Sequence, residues 1–246
     1  MTSSAAFLSA RRLVRAGCLA AALLTASAVS ALPPSASQRV TFRTDDGVTL
    51  AAAWYEPTMR PGPAVIMVHM LQKSRRDWDA LATRLAGEGI GALAIDLRGH
   101  GESQGNAQDH AVMINDLRAA RRFLAARSDV APSRVGIIGA SLGATLAAQA
   151  SAEDPSMAAV ALLSPSLDYR GLRVEPAVRK YGARPLLLVA SDDDGYAARS
   201  IRDLQKAGGG IRETILLSHA GHGTAMLVAD PDLAGRLVEW FRRTLL

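Results

Sequence analysis

The chain has 246 residues, 49% hydrophobic and 21% charged, which is enough to bury the core of one ordinary domain and too apolar for a disordered chain. Its formal charge of +5 rests on 28 basic against 23 acidic side chains, and Arg11, Arg12 and Arg15 precede residue 32, where no acidic residue stands. Without those three the balance is near neutral and aromatics are few, so no electrostatic footprint for nucleic acid remains; the one cysteine, Cys18, lies in the same segment, so disulfides, cysteine-bound metals and a cysteine nucleophile are excluded from the rest.

Residues 1–31 read as a secretory signal peptide. Arg11, Arg12 and Arg15 form the positive region, an Ala- and Leu-rich stretch runs from 16 to 29, and Val29-Ser30-Ala31 is a small-residue cleavage site. The apolar stretch is short for a membrane span of about 20 residues. The expectation is export from a bacterial cell to the periplasm or medium, no membrane insertion after cleavage, and one domain over 32–246.

That domain alternates strands and helices. Strands are expected at 39–44 and 48–55 around the hairpin turn Asp45-Asp46-Gly47. The apolar run 64–68 suits a parallel strand buried on both faces. Trp78, Leu81, Ala82 and Leu85 recur at helical spacing, and Gly87 and Gly89 end that helix. A strand at 90–95, a helix marked by Met113, Leu117, Ala120 and Leu124, a strand at 135–138 and a helix at 142–152 follow. Strands at 160–163 and 186–190, a helix at 197–207 and a strand at 211–217 complete the alternation. Asp230 and Pro231 then open a last helix that buries Leu233, Leu237, Trp240 and Phe241. The pattern predicts an α/β fold: a mostly parallel sheet of about eight strands behind an N-terminal antiparallel hairpin, with helices on both faces.

Between the strand at 135–138 and its helix stands Gly139-Ala140-Ser141-Leu142-Gly143, a G-x-S-x-G nucleophile elbow in the context that the motif requires. The sharp strand-to-helix reversal leaves no room for side chains two residues either side of the serine. It lifts the Ser141 hydroxyl above the sheet and sets the Leu142 N–H at a helix N-terminus, where it can hold an oxyanion.

With this elbow, the strand-end Val68-His69 and the segment Asp96-Leu97-Arg98-Gly99-His100-Gly101-Glu102-Ser103, the chain resembles the α/β-hydrolase superfamily over essentially all of 39–246. The resemblance implies that Asp96 and His100 are structural. It implies a triad in the order serine, acid, histidine, so His69, His100 and His110 come too early. His222, in Ala220-Gly221-His222-Gly223, is the implied base and His219 a polar strand-end residue. The acid is expected in Ser191-Asp192-Asp193-Asp194. Asp194 fits the family spacing best, with Asp193, Asp192 and, after the preceding strand, Asp168 as alternatives. The second oxyanion donor by family position is the Leu71 N–H, although Met70 stands where the family usually has glycine.

Only some 20 residues, 165–184, separate two strands where relatives insert a cap, so a minimal cap and an open pocket are expected, with Met70 and Tyr196 in its lining beside Leu71 and Leu142. Lys73, Arg75 and Arg76 read as a solvated face, with an anionic substrate as the other use. No metal, phosphate-loop or dinucleotide motif is present, so no cofactor is expected. The resulting expectation is a serine hydrolase of small to medium acyl esters. Peptidase, amidase or dienelactone-type hydrolysis on the same triad, or a non-catalytic binding protein on this scaffold, are the alternatives.

Overall fold

The computed structural model describes residues 37–246, so the signal peptide expected over 1–31 lies outside the described residues. The expected hairpin forms: β1 (Gln38–Arg43) and β2 (Thr49–Tyr55) pair antiparallel with Phe42 opposite Leu50. Gly47 takes the positive φ of the turn, 86°.

Beyond the hairpin come β3 (Gly62–Val68), a 3-10 turn (Arg75–Trp78), α1 (Asp79–Gly87), β4 (Gly91–Ile95), α2 (Ile114–Ala125), β5 (Val130–Ala140), α3 (Leu142–Glu153) and β6 (Met157–Leu163). A small antiparallel hairpin, β7 (Asp168–Tyr169) and β8 (Leu172–Arg173), leads into α4 (Val174–Tyr181). Then follow β9 (Leu186–Ser191), α5 (Gly195–Gln205), β10 (Arg212–Leu217), a second 3-10 turn (Gly223–Ala225), α6 (Met226–Ala229) and α7 (Leu233–Leu245).

The main sheet has eight strands in the order β1-β2-β4-β3-β5-β6-β9-β10. All neighbours from β4 to β10 are parallel, and the two pairs made by β2 are antiparallel. Every residue of β3 and β4 is buried, because side chains alternate between two apolar layers. Ala64, Ile66 and Val68 face the layer that holds Leu117 of α2, Leu146 of α3, Val178 of α4 and Ile201 of α5. Val65 and Met67 face the layer of Leu81 and Leu85 from α1 and Leu237, Trp240 and Phe241 from α7. Burying each such side chain contributes about 1.5–3 kcal/mol.

Two boundaries differ from the sequence pattern. β5 starts five residues ahead of the apolar run, because Val130 pairs with Gly62 past a register shift at the sheet's lower end. The 165–184 segment holds a helix, α4, whose Val174, Ala177, Val178 and Tyr181 are buried; the β7–β8 hairpin and most of the remaining positions are exposed or half-buried. The last helix begins at Leu233 with Asp232 at its N-cap, two residues later than expected; Asp230 instead closes the turn before it, its Oδ1 accepting the N–H groups of Asp232 and Leu233.

Candidate active site

Parallel strands put all their carboxyl ends on one edge of the sheet, and the candidate residues gather there. Ser141 follows β5 with φ 53° and ψ −112°, a conformation that costs a non-glycine residue on the order of 1–3 kcal/mol. The surroundings enforce it. A Cβ on Gly139 would lie 2.1 Å from the Gly143 carbonyl oxygen, and one on Gly143 would lie 2.3 Å from that of Val68 and 2.6 Å from that of His69. The second clash is with the end of β3 rather than within the elbow. It shows how closely the start of α3 packs against the His69 loop. The N–H groups of Leu142 and Leu71 have no hydrogen-bond acceptor among the described residues, as a pair of oxyanion donors requires.

The His69 loop is held from below. The Leu97 N–H donates to His69 Nε2 at 3.0 Å, so the ring proton must sit on Nδ1, which donates to the Met70 carbonyl at 2.7 Å. Burial holds this imidazole below its ordinary pKa of 6.5. Its folded-state pKa is therefore below the unfolded one, so the stability it carries is complete above about 6.5 and is lost as pH falls from there toward the folded value. Urea midpoints should decline between pH 7.5 and 5, and His69→Gln should flatten that decline. An unchanged profile in the variant would refute the assignment.

Asp96 is fully buried and accepts the backbone N–H of Arg75 at 2.7 Å and that of Glu102 at 2.9 Å. It also binds the Arg75 guanidinium, which in turn reaches Glu102. Arg75 is thus a buried structural residue, which corrects its reading as part of a solvated face; Lys73 and Arg76 do remain exposed. His100 donates to or accepts from no catalytic candidate: its Nδ1 lies 3.1 Å from the Arg98 carbonyl.

The acid turn and the histidine loop meet residue by residue. Ser191 Oγ accepts the Ala220 N–H at 2.8 Å, and Asp192 Oδ1 that of His219 at 2.8 Å. Asp193 Oδ1 accepts from Gly221 N–H at 3.1 Å, and Asp194 Oδ2 lies 2.6 Å from His222 Nδ1. Asp194 is itself fixed as the N-cap of α5, its Oδ1 taking the Ala197 N–H at 3.1 Å. The His219 N–H holds the Asp192 carboxyl below the usual carboxylate range, and contact with Ser191 does the same for Asp193. Asp168 instead closes the β7–β8 turn by accepting the Gly171 N–H at 2.7 Å. The side chain of His219 is 84% exposed.

Two contacts escaped the sequence pattern. Ser164, after β6 with φ 47°, accepts the Gly223 N–H at 2.9 Å and anchors the histidine loop from beneath. Thr224 donates to Asp77 at 2.6 Å and ties the same loop to the turn before α1. Both partners are 59 or more positions apart in the chain, so no local spacing announces them. A Cβ on Gly223 would lie 3.7 Å from that of Ala140 and 2.5 Å from Met70 Sδ. The histidine loop therefore packs against Ala140, the residue before Ser141, and against the Met70 thioether. Met70 also lines a cleft of about 470 Å³ on the His222 side, shared with Lys73 and Thr224. Tyr196, 49% exposed on the first turn of α5, lies outside that cleft. Among the described residues no three His, Cys, Asp or Glu side chains cluster as a metal site. No helix among them is long and apolar enough to cross a membrane.

Comparison with known proteins agrees with the fold. The family model described as serine aminopeptidase, S33, matches residues 59–192, more than half of the chain. An uncharacterized protein of Mycobacterium tuberculosis is 29% identical over 226 residues, 84% of this chain and 77% of its own length. The quorum-quenching protein AidA of Acinetobacter baumannii is 32% identical over 186 residues, 67% of this chain and 61% of its own. Among solved structures, the dienelactone hydrolase of Anabaena variabilis superimposes with a TM-score of 0.73 at 21% identity, covering 87% of this chain and 100% of that one. The Pyrococcus furiosus esterase Pf2001 gives 0.70 at 21%, covering 86% and 94%. At that identity the structures show the fold, and the family model carries the assignment: the chain belongs to the serine aminopeptidase, S33, family of α/β hydrolases.

Proposed function

We propose that the protein is a serine esterase working through Ser141, His222 and Asp194. The observation that carries the reading is the 2.6 Å contact between His222 Nδ1 and an Asp194 carboxylate whose other oxygen is already fixed on α5. That contact keeps the proton on Nδ1 and leaves Nε2 free to act as base. Ser141 Oγ attacks the ester carbonyl and passes its proton to His222 Nε2. The Leu71 and Leu142 N–H groups hold the oxyanion. The acyl–oxygen bond to the alcohol breaks, and the alcohol leaves with the proton from His222. Water repeats the cycle on the acyl-enzyme, releasing the acid and restoring Ser141. Each oxyanion donor contributes about 10²–10³ in rate.

An amide substrate is the second reading, favoured by the family model's own description as an aminopeptidase. The order of tests separates the two. A fluorophosphonate should label the wild type and leave Ser141→Ala unlabelled. p-Nitrophenyl esters from acetyl to palmitoyl and aminoacyl p-nitroanilides then compete as substrates. Turnover confined to the anilides would replace the esterase reading, and an unlabelled wild type would remove catalysis altogether. We further infer that residues 1–31 direct export and that the working enzyme begins near Leu32. N-terminal sequencing of the exported protein tests this, and an intact Met1 in that fraction would reject it.

A further inference from the structure

We propose that the cleft on the His222 side is the subsite for the alcohol portion of the ester, and that it selects apolar alkyl or aryl alcohols. The inference rests on the esterase reading and goes further, naming which half of the substrate the enzyme discriminates. In acyl transfer the departing oxygen must reach the imidazole that protonates it, so the leaving group lies on the histidine side of the serine. The cleft is walled by the chain on both sides of His222 and by the loop after β3. Ala220 and Thr224 flank His222 in the chain, and Met70 immediately precedes Leu71.

Its walls argue for the chemistry. Met70, Ala220, Ala225, Val228 and Ala229 supply apolar surface, and the three alanines are small enough to leave about 470 Å³ open, within the range of ligand pockets. Val228 is 86% exposed, an apolar side chain left largely uncovered at the rim by the described residues. The charged groups oppose one another. Lys73 brings a cation and Asp77 an anion, and Asp77 spends one oxygen on the Thr224 hydroxyl. No net charge is left to select a charged alcohol, so shape and apolar burial decide. The cleft of about 550 Å³ lined by Glu56, Arg60, Arg127 and Asp129 is no rival, because it lies by the start of β5, at the opposite edge of the sheet from Ser141.

The test is a pair of ladders read as kcat/KM. One varies the alcohol on a fixed acetyl group: methyl, butyl, octyl and 2-phenylethyl acetate. The other varies the acyl group on methanol: methyl acetate, butanoate and octanoate. Octyl over methyl acetate should rise at least about tenfold, since a buried methylene is worth about 0.8 kcal/mol and only a few need be covered. Ala229→Phe fills the cleft and Val228→Asp makes its rim polar. Both positions are exposed, so neither change strains the core. Each variant should cut the octyl-to-methyl acetate ratio about tenfold, while the octanoate-to-acetate ratio of the methyl esters stays within about twofold. A flat alcohol ladder in the wild type, or an unchanged ratio in both variants, overturns this inference while the esterase reading stands. Variants that shift the acyl ladder instead make the cleft an acyl pocket and overturn it too. No turnover of any ester by protein whose Ser141 still takes a fluorophosphonate overturns the esterase reading and the inference with it.

Discussion

Asp194→Asn should lower kcat on p-nitrophenyl butyrate by about 10⁴ with the fold intact. The variant keeps the α5 cap, because its amide oxygen still accepts the Ala197 N–H. Its amide nitrogen, standing where Oδ2 meets His222, can only donate. It would place the imidazole proton on Nε2, where the base must be vacant. Asp192→Asn and Asp193→Asn lose little in comparison, since an amide oxygen accepts the His219 or Gly221 N–H as a carboxylate does. Asp168→Asn keeps its turn in the same way. Stopped-flow and steady-state rates on the four variants settle the assignment. Near-normal kcat in Asp194→Asn, or a loss of 10³ or more in one of the others, would move the acid elsewhere.

Asp96→Ala should cost about 3–5 kcal/mol of stability, the range for breaking a buried ion pair from one side. The fully buried carboxylate answers the Arg75 guanidinium and two backbone N–H groups. Removing it strands all three, and Glu102 already divides its own charge between Arg75 and Arg39. The urea midpoint should fall with an unchanged m-value. A drop below about 1 kcal/mol would mean that water replaces the carboxylate without penalty. Because Arg75 ends the loop that carries Leu71, activity should fall further than the population of folded protein does.

What could be read from the chain was whatever burial stamps locally. The runs at 64–68, 160–163 and 186–190 announce strands because both faces are covered, and Leu233, Leu237, Trp240 and Phe241 announce α7 because one face is. The first half of β5 stayed silent, since Pro132, Ser133 and Arg134 lie at a partly exposed lower end. The α4 helix was legible in principle: Val174, Ala177, Val178 and Tyr181 keep helical spacing, with Pro176 in the first turn, where proline is tolerated. The strained turn at Ser141 and the pairing of His222 with the acid turn were expected from motif and resemblance. Arg75 was not, because its burial depends on carboxylates 21 and 27 positions away. Lysines and arginines near one another in sequence look like a solvated face until the fold supplies partners.

The run Ser191-Asp192-Asp193-Asp194 looks redundant in sequence, yet each member grips a different group of the loop from Ala220 and His219 to His222. The tract behaves as a ruler. Deleting an aspartate would shift the tract against that loop, so that the Asp194 carboxylate, now held on α5, would no longer stand opposite His222. The length of this acidic tract, as much as its chemistry, is therefore constrained, and changes of residue should be tolerated there far better than changes of number.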